Sequence, residues 1–442
     1  MYWKQLLSTK RFGMEAYHDE KKHDRTEFQR DYDRLIFSSP FRRLQSKTQV
    51  FPLPGSVFVH NRLTHSLEVS CVGRSLGDKV GKALDKRYQD ATIGFPETGA
   101  LVSAACLAHD LGNPPFGHSG EKAISAYFAE KEGRRLLEDI EREGGRCSDF
   151  VHFEGNANSL RMLTHRFKGR RQGGFVMTYA TLAAIVKYPY ASTLSGEKGK
   201  FGFFASEEND YRKIATDLGI ICRNQNPLSF VRYPLVYLVE AADDICYLIM
   251  DLEDAHKLKL LTAEETITLL QDHLPEEKRN HACRIMQMVD DVNEKIAYLR
   301  STVIGLLIDE CSRVFLEQEA AILQGSFHGA LIDHIDTLPR EAYRRCAALS
   351  VKKIYRAKDV LDVELAGYKI IGFLLDTFID AVLHPGKAYS TLLLRSFPEQ
   401  FSTNEKTTYA RIQAVIDYIS GMTDVYALDL YRKLTGMNLP VV

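Results

Sequence analysis

The sequence predicts an all-α protein, and two observations carry that reading. Apolar residues recur at the three-and-four spacing of a buried helical face through most of the 442 residues. Alternating strand patterns are scarce. An apolar content of 45% is enough for a substantial core. Along the chain, "TQVFPLP" and "GSVFVH" around Pro52 to Gly55 are the best strand candidates and predict at most a short hairpin. Next, "RLTHSLEVSCVGRSLGDKVGKAL" predicts a helix burying Leu63, Leu67, Val69, Val72, Leu76 and Val80. The run "ALVSAACLA" predicts a helix buried all round, ending at His109 and Asp110. A Gly-Asn-Pro-Pro break follows, and a new helix begins after "NPPFG". The Gly- and Ser-rich stretch "YASTLSGEKGKFGFFASEEND" predicts a flexible insertion near 190–210. Then "LVEAADDICYLIMDLEDA" reads as a strongly apolar helix, and long amphipathic helices fill the rest. The expected organisation is a catalytic core over 1–260 with a helical C-terminal region over 261–442 packed on it, without an internal repeat or a clear linker.

Composition excludes several classes of function. A net charge of -1 argues against an overall electrostatic commitment to nucleic acid or anionic membrane. Basic "HRFKGRRQGG", with Arg166, Lys168, Arg170 and Arg171, reads as a solvated loop because only Phe167 interleaves it. No apolar run approaches a membrane span, and the start "MYWKQLLSTKRFG" lacks a signal-peptide core, so a cytoplasmic protein is expected. The eight cysteines form no CxxC pair, and those at Cys71, Cys106, Cys246 and Cys311 read as buried thiols.

The chemistry concentrates in "HDLGNPPFGHSGE". Asp110 at the end of an apolar helix is costly to desolvate unless a metal or a cation meets it. An isolated His-Asp pair is as readily a helix cap beside a satisfied histidine. Elsewhere, "HNRLTHSLEV" places His65 on a helix with Arg62 three residues before it, and Asp243 lies in a further apolar helix. Two histidines and two aspartates could form a compact metal site suited to Mn, Fe, Co, Ni or Zn, or to Mg where oxygen ligands dominate. His118 and Glu121 are spaced i, i+3, so the carboxylate can orient the imidazole and raise its basicity. Asp243, Tyr247 and Asp251 fall on one helical stripe, because each step of four residues rotates only about 40°.

Taken in order, His65, His109, Asp110 and Asp243 resemble the ligand pattern of the HD-domain metal phosphohydrolases. The flanking "FRRLQSKTQVF", "RLTHSLEV", "HDLGNPPFGHSGE" and "EAADDICYLIMDLEDA" are similar to the deoxynucleoside-triphosphate triphosphohydrolases, in particular the bacterial dGTPase-like group. That resemblance runs from the first residues to about Asp254. It implies an HD-domain helical fold and a divalent ion (Mn, Mg, Co, Ni or Fe) on those four ligands, with His118 and Glu121 as the catalytic pair. By the same resemblance Gln49 and Asp251 hold the 3′-hydroxyl, and Tyr247 packs where a 2′-hydroxyl would sit. Arg62, Lys187 and Tyr188 handle phosphate, and His152 matches an active-site position. Asn113, where some related enzymes carry a histidine, joins the substrate-binding residues. The implied reaction releases inorganic triphosphate from a dNTP, dGTP foremost, in a homo-oligomer, with a nucleotide or single-stranded nucleic acid as effector. The alternatives are another HD nucleotidase or phosphodiesterase, and a non-catalytic nucleotide sensor.

Overall fold

The computed structural model describes residues 1–16, 24–51, 59–401 and 405–437. Among them are twenty-one α-helices and one two-stranded sheet. The hairpin expected around Pro52 to Gly55 lies outside the described residues. The observed hairpin is elsewhere: β1 (Cys222–Gln225) pairs antiparallel with β2 (Leu228–Phe230) across a turn at Asn226-Pro227.

Two helices build the floor of the molecule. Helix α1 (Arg62–Tyr88) starts at a capping box in which the Asn61 side chain accepts from Thr64 N and Thr64 Oγ1 accepts from Asn61 N. Helix α2 (Thr98–Ala108) is buried on nearly every face, as its apolar run requires. Glycines at 73, 77 and 81, one turn apart on α1, face α2 and its approach. A Cβ at 77 would stand 2.8 Å from Gly99 Cα, and one at 81 would stand 2.4 Å from Phe95 O. The side-chain-free ridge lets the two backbones approach closely. Val69, Val72, Leu76 and Val80 are buried as predicted, whereas Leu67 and Cys71 face outward because the α1 contact is centred on the glycine ridge.

The remaining helices that position the site are α3 (Gly117–Ala129), α4 (Gly155–Thr164), α5 (Val236–Lys257), α6 (Val292–Glu317), α7 (Lys358–Leu383), α8 (Thr408–Ser420) and α9 (Asp424–Leu434). One apolar core runs from Trp3 to Val360 and includes α1, α2, α5 and α6. A second joins Ile124 and Phe128 of α3 to Leu374 and Phe378 of α7 and Ile416 of α8. The C-terminal helices therefore pack directly on the helix that carries His118.

The stretch at 190–210 departs from the flexible insertion expected. It is irregular, but Phe201, Phe203 and Phe204 are fully buried, and Ala191 N donates to Leu228 O (3.0 Å). Its glycines mark turns between anchored aromatics. No described helix is long and apolar enough to cross a membrane.

Candidate active site

His65 on α1, His109 just beyond α2 and Asp243 on α5 bring their ligand atoms within 4.8 Å of one another. His65 Nε2 lies 3.1 Å from Asp243 Oδ1, and His109 Nε2 lies 3.6 Å from the same oxygen. The His109 tautomer follows from its other nitrogen. Nδ1 donates to Cys106 O (2.6 Å), which leaves Nε2 to face the carboxylates, buried and with no hydrogen-bond partner among the described residues. Burial works against a charge on this ring, yet Asp110 and Asp243 outweigh it and push its pKa up to about 9. An orphaned imidazole nitrogen among carboxylate oxygens is a donor set that fits a divalent cation.

Asp110 does not converge fully with the other three. Its Oδ2 accepts from Arg62 Nη1 (2.6 Å) and its Oδ1 from Asn113 Nδ2 (2.5 Å), with Oδ1 3.6 Å from His109 Nε2. Arg62 and Asn113 thus hold a ligand candidate. The loop bearing Asp110 and Asn113 is braced by fully buried Lys47, whose Nζ donates to Asn113 O (2.6 Å) and to Ser420 O at the end of α8 (2.7 Å).

Phe116 takes the left-handed conformation (φ 63°) and starts α3, so His118 and Glu121 fall in its first two turns. Glu121 is buried: Oε1 accepts from Gly155 N (2.8 Å) at the start of α4, and Oε2 faces His118 Nδ1 at 2.8 Å. That contact raises the His118 pKa, while the carboxylate, burdened by burial, is held below its usual range by the imidazole. The His118 ring remains 61% exposed. It lines two cavities at once. One, of about 220 Å³, is walled by Gln49, Tyr247 and Tyr355. The other, of about 600 Å³, is lined by His152, Lys198 and Lys200. Lys122 borders both.

Comparison with known proteins places the chain in a family. The HD domain family matches residues 62–172, and a phosphohydrolase-associated domain matches residues 340–433. A deoxyguanosinetriphosphate triphosphohydrolase-like protein of Synechocystis sp. is 38% identical, covering 99% of this chain and 100% of the relative. The chain belongs to the deoxyguanosinetriphosphate triphosphohydrolase-like family of HD-domain hydrolases. A protein of the same description from Pseudomonas aeruginosa is also 38% identical, over the whole of both chains. The deoxyguanosinetriphosphate triphosphohydrolase of Yersinia enterocolitica is 30% identical over 98% of each.

Within this triphosphohydrolase-like chain the HD match holds His65, His109, Asp110, His118 and Glu121, whereas Asp243 lies beyond it. Of the expected substrate residues, Gln49 lines the smaller cavity, with its Oε1 buried and unpaired among the described residues. Tyr247 lines it too, its ring 6.3 Å from His65. Asp251 stands one layer back: its Oδ2 accepts from the Tyr355 hydroxyl (2.7 Å), and burial pushes its pKa up to about 8. Lys187 is ion-paired with Glu240 (3.1 Å) beside the Tyr188 ring and lines neither cavity.

Lys122, Lys198, Lys200 and Tyr355 line the cavities and escaped the sequence. Lys200 reaches Glu154 Oε2 (2.6 Å) and is held protonated by Glu121 and Glu154 despite burial. It sits in the segment whose glycines suggested mobility. Tyr355, 6.0 Å from the Tyr247 ring, follows a π-helical turn at Ser350–Ile354 and belongs to no motif. Its only signal was an aromatic residue in an otherwise polar run.

Proposed function

We propose that this chain hydrolyses deoxynucleoside triphosphates, dGTP foremost, to the deoxynucleoside and inorganic triphosphate, with water adding at the α-phosphorus as the P–O5′ bond breaks. The observation that carries this reading is the position of His118, shared by a cavity that sets three lysines beside Glu121, Glu154 and Glu197 and by an aromatic, amide-lined one. Triphosphate suits the first, with Lys122, Lys198 and Lys200 as point charges. Deoxyribose suits the second, where the orphaned Gln49 Oε1 can accept from the 3′-hydroxyl. Tyr247 and Tyr355 leave little room for a 2′-hydroxyl in about 220 Å³.

His65, His109 and Asp243 would hold a divalent ion, with Asp110 as fourth candidate. When bound, such an ion supplies Lewis-acid polarisation of phosphate oxygens and acidifies water. His118, with Nδ1 fixed on Glu121, presents Nε2 to the cleft and gives its proton to the departing 5′ oxygen. Glu121 keeps that proton on the ring until it is used. Arg62 and Asn113 position Asp110.

The test is product analysis by anion-exchange chromatography for each dNTP, with Mn, Mg or Co supplied. Triphosphate with deoxynucleoside in equal amounts is expected. Release of orthophosphate or pyrophosphate instead would overturn the reaction type. On the sugar side, GTP and 2′,3′-dideoxy-GTP should be much poorer substrates than dGTP, and equal kcat/KM for all three would remove the deoxynucleotide assignment.

A further inference from the structure

Away from the two cavities that meet at His118, one partly buried histidine joins the elements that supply the expected sugar-binding residues. His60 stands at the entry to α1, where Asn61 bridges antiparallel to Thr48 and Arg62 N donates to Lys47 O (3.2 Å). Its backbone N donates to Asp254 Oδ2 of α5 (2.8 Å), and its ring Nδ1 lies 2.8 Å from the same oxygen. On the other side of the ring, Nε2 lies 3.1 Å from Glu68 Oε1 of α1. The imidazole therefore spans carboxylates of two different helices. Burial works against a charge on it, but Asp254 and Glu68 outweigh that and push its pKa up to about 10. At neutral pH the ring is a cation with an N–H for each carboxylate.

The bridge bears on two residues beyond its own contacts. Gln49 follows Thr48 in the stretch that pairs with Asn61, so it is carried by the entry to α1. Asp251 lies three residues before Asp254 on α5, about 4.5 Å along the helix axis. The cation also acts on Asp251 directly: burial raises that carboxyl, and the Tyr355 hydroxyl and the His60 charge oppose the rise. His60 is the one ion-pair partner of Asp254 among the described residues, and the Asp254 side chain is only 3% exposed. Without the imidazolium, a buried carboxylate next to Asp251 would have no cation, and the turn of α5 would shift to reach water.

We propose that His60 is a positioning residue for sugar recognition: it ties the segment carrying Gln49 to the turn of α5 carrying Asp251, and so sets the spacing at which the two share one 3′-hydroxyl. The inference rests on the reading of Gln49 and Asp251 as the pair that holds that hydroxyl.

The test compares kcat/KM for dGTP and 2′,3′-dideoxy-GTP in the full-length, metal-loaded wild type, His60→Gln and Glu68→Gln. Glutamine at position 60 is neutral, and its single NH₂ cannot face carboxylates on opposite sides. Glu68→Gln removes one end of the bridge at a side chain that is 33% exposed, and it keeps the test decisive where the first variant folds poorly. The preference for dGTP over the dideoxynucleotide should fall at least tenfold in His60→Gln and at least threefold in Glu68→Gln. The loss should enter chiefly as a raised KM for dGTP, with metal content by elemental analysis equal to that of the wild type. A histidine that merely anchored the start of α1 would lower the melting temperature and slow both substrates in proportion, so an unmoved preference in both variants would overturn the proposal. A fall in kcat with the KM for dGTP unmoved would overturn it too. Equal kcat/KM for the two substrates in the wild type would remove the sugar reading itself, and this inference with it.

Discussion

Asp424, at the start of α9, lies more than 300 residues from the elements it grips. Its Oδ2 accepts from Thr48 N (2.8 Å), beside Gln49, and its Oδ1 from Phe116 N (2.9 Å), two residues before His118. One buried carboxylate thus fixes both the amide of the smaller cavity and the proton donor. Asp424→Asn keeps one acceptor and turns an NH₂ group toward the other backbone N–H. A hydrogen bond to a charged group contributes about 1.5 to 3 kcal/mol, so closure of the cleft is weakened by a factor of roughly 10 to 150. Misplacement of a reacting group by about 1 Å can by itself remove some 10²-fold of rate. We expect kcat/KM for dGTP to fall at least tenfold in Asp424→Asn, with metal content by elemental analysis unchanged because His65, His109 and Asp243 are untouched. A variant with wild-type kcat/KM and an unaltered pH profile would refute the claim that α9 holds the cleft in register.

Three further expectations follow from the same packing. Gly77→Ala would drive a methyl group into the Gly99 and Thr98 backbone at 2.8 and 2.9 Å. The overpacking cost of about 1 to 3 kcal/mol should outweigh the roughly 1 kcal/mol helix gain, so calorimetry should show a lower melting temperature, and a higher one would sink the close-packing argument. In the wild type, Glu121 raises the His118 pKa, so the acid stays protonated to higher pH, and activity is lost as pH rises through that raised value. Glu121→Gln should move the alkaline limb of kcat/KM to lower pH, and an unmoved limb would remove His118 as the donor. Burial, with Arg62 adding repulsion, pushes Lys47 down to about 7, against about 10.4 in an unfolded chain. Between those values the unfolded chain binds the extra proton, so stability rises with pH by up to about 1.4 kcal/mol per pH unit. Urea unfolding at pH 7 and 9 should show that rise in the wild type and a smaller one in Lys47→Met. Equal rises would mean that Lys47 stays charged on its two carbonyls.

The helices were legible because burial imposes periodicity. The run "ALVSAACLA" could only be an interior helix, and it is buried almost throughout. The metal candidates were legible for a related reason, since His109 and Asp243 are polar residues in apolar surroundings that must be compensated. What stayed hidden depends on tertiary partners. Leu67 satisfies the helical spacing, yet the α1 contact is centred on glycines, which carry no hydrophobic signal. The segment at 190–210 is rich in turn residues, but its three buried phenylalanines decide its order, and Lys200 is fixed by a carboxylate 46 positions away. Arg62 was legible as a cation near a ligand. That its partner is Asp110 rather than a phosphate depends on the loop that Lys47 and Asn113 brace.

The clasp at Asp424 also sets an order of events during synthesis. Translation at about 5 to 20 residues per second leaves roughly 15 to 60 s between the appearance of Phe116 and that of its acceptor 308 residues later. In that interval α1 and α2 can meet through their glycine ridge and gather His65 with His109. Thr48, Phe116 and the Lys47 ammonium still lack their C-terminal partners, and the face of α3 that later packs on α7 is bare. A nascent chain would therefore hold two of the ion's candidate ligands well before its proton donor is in place.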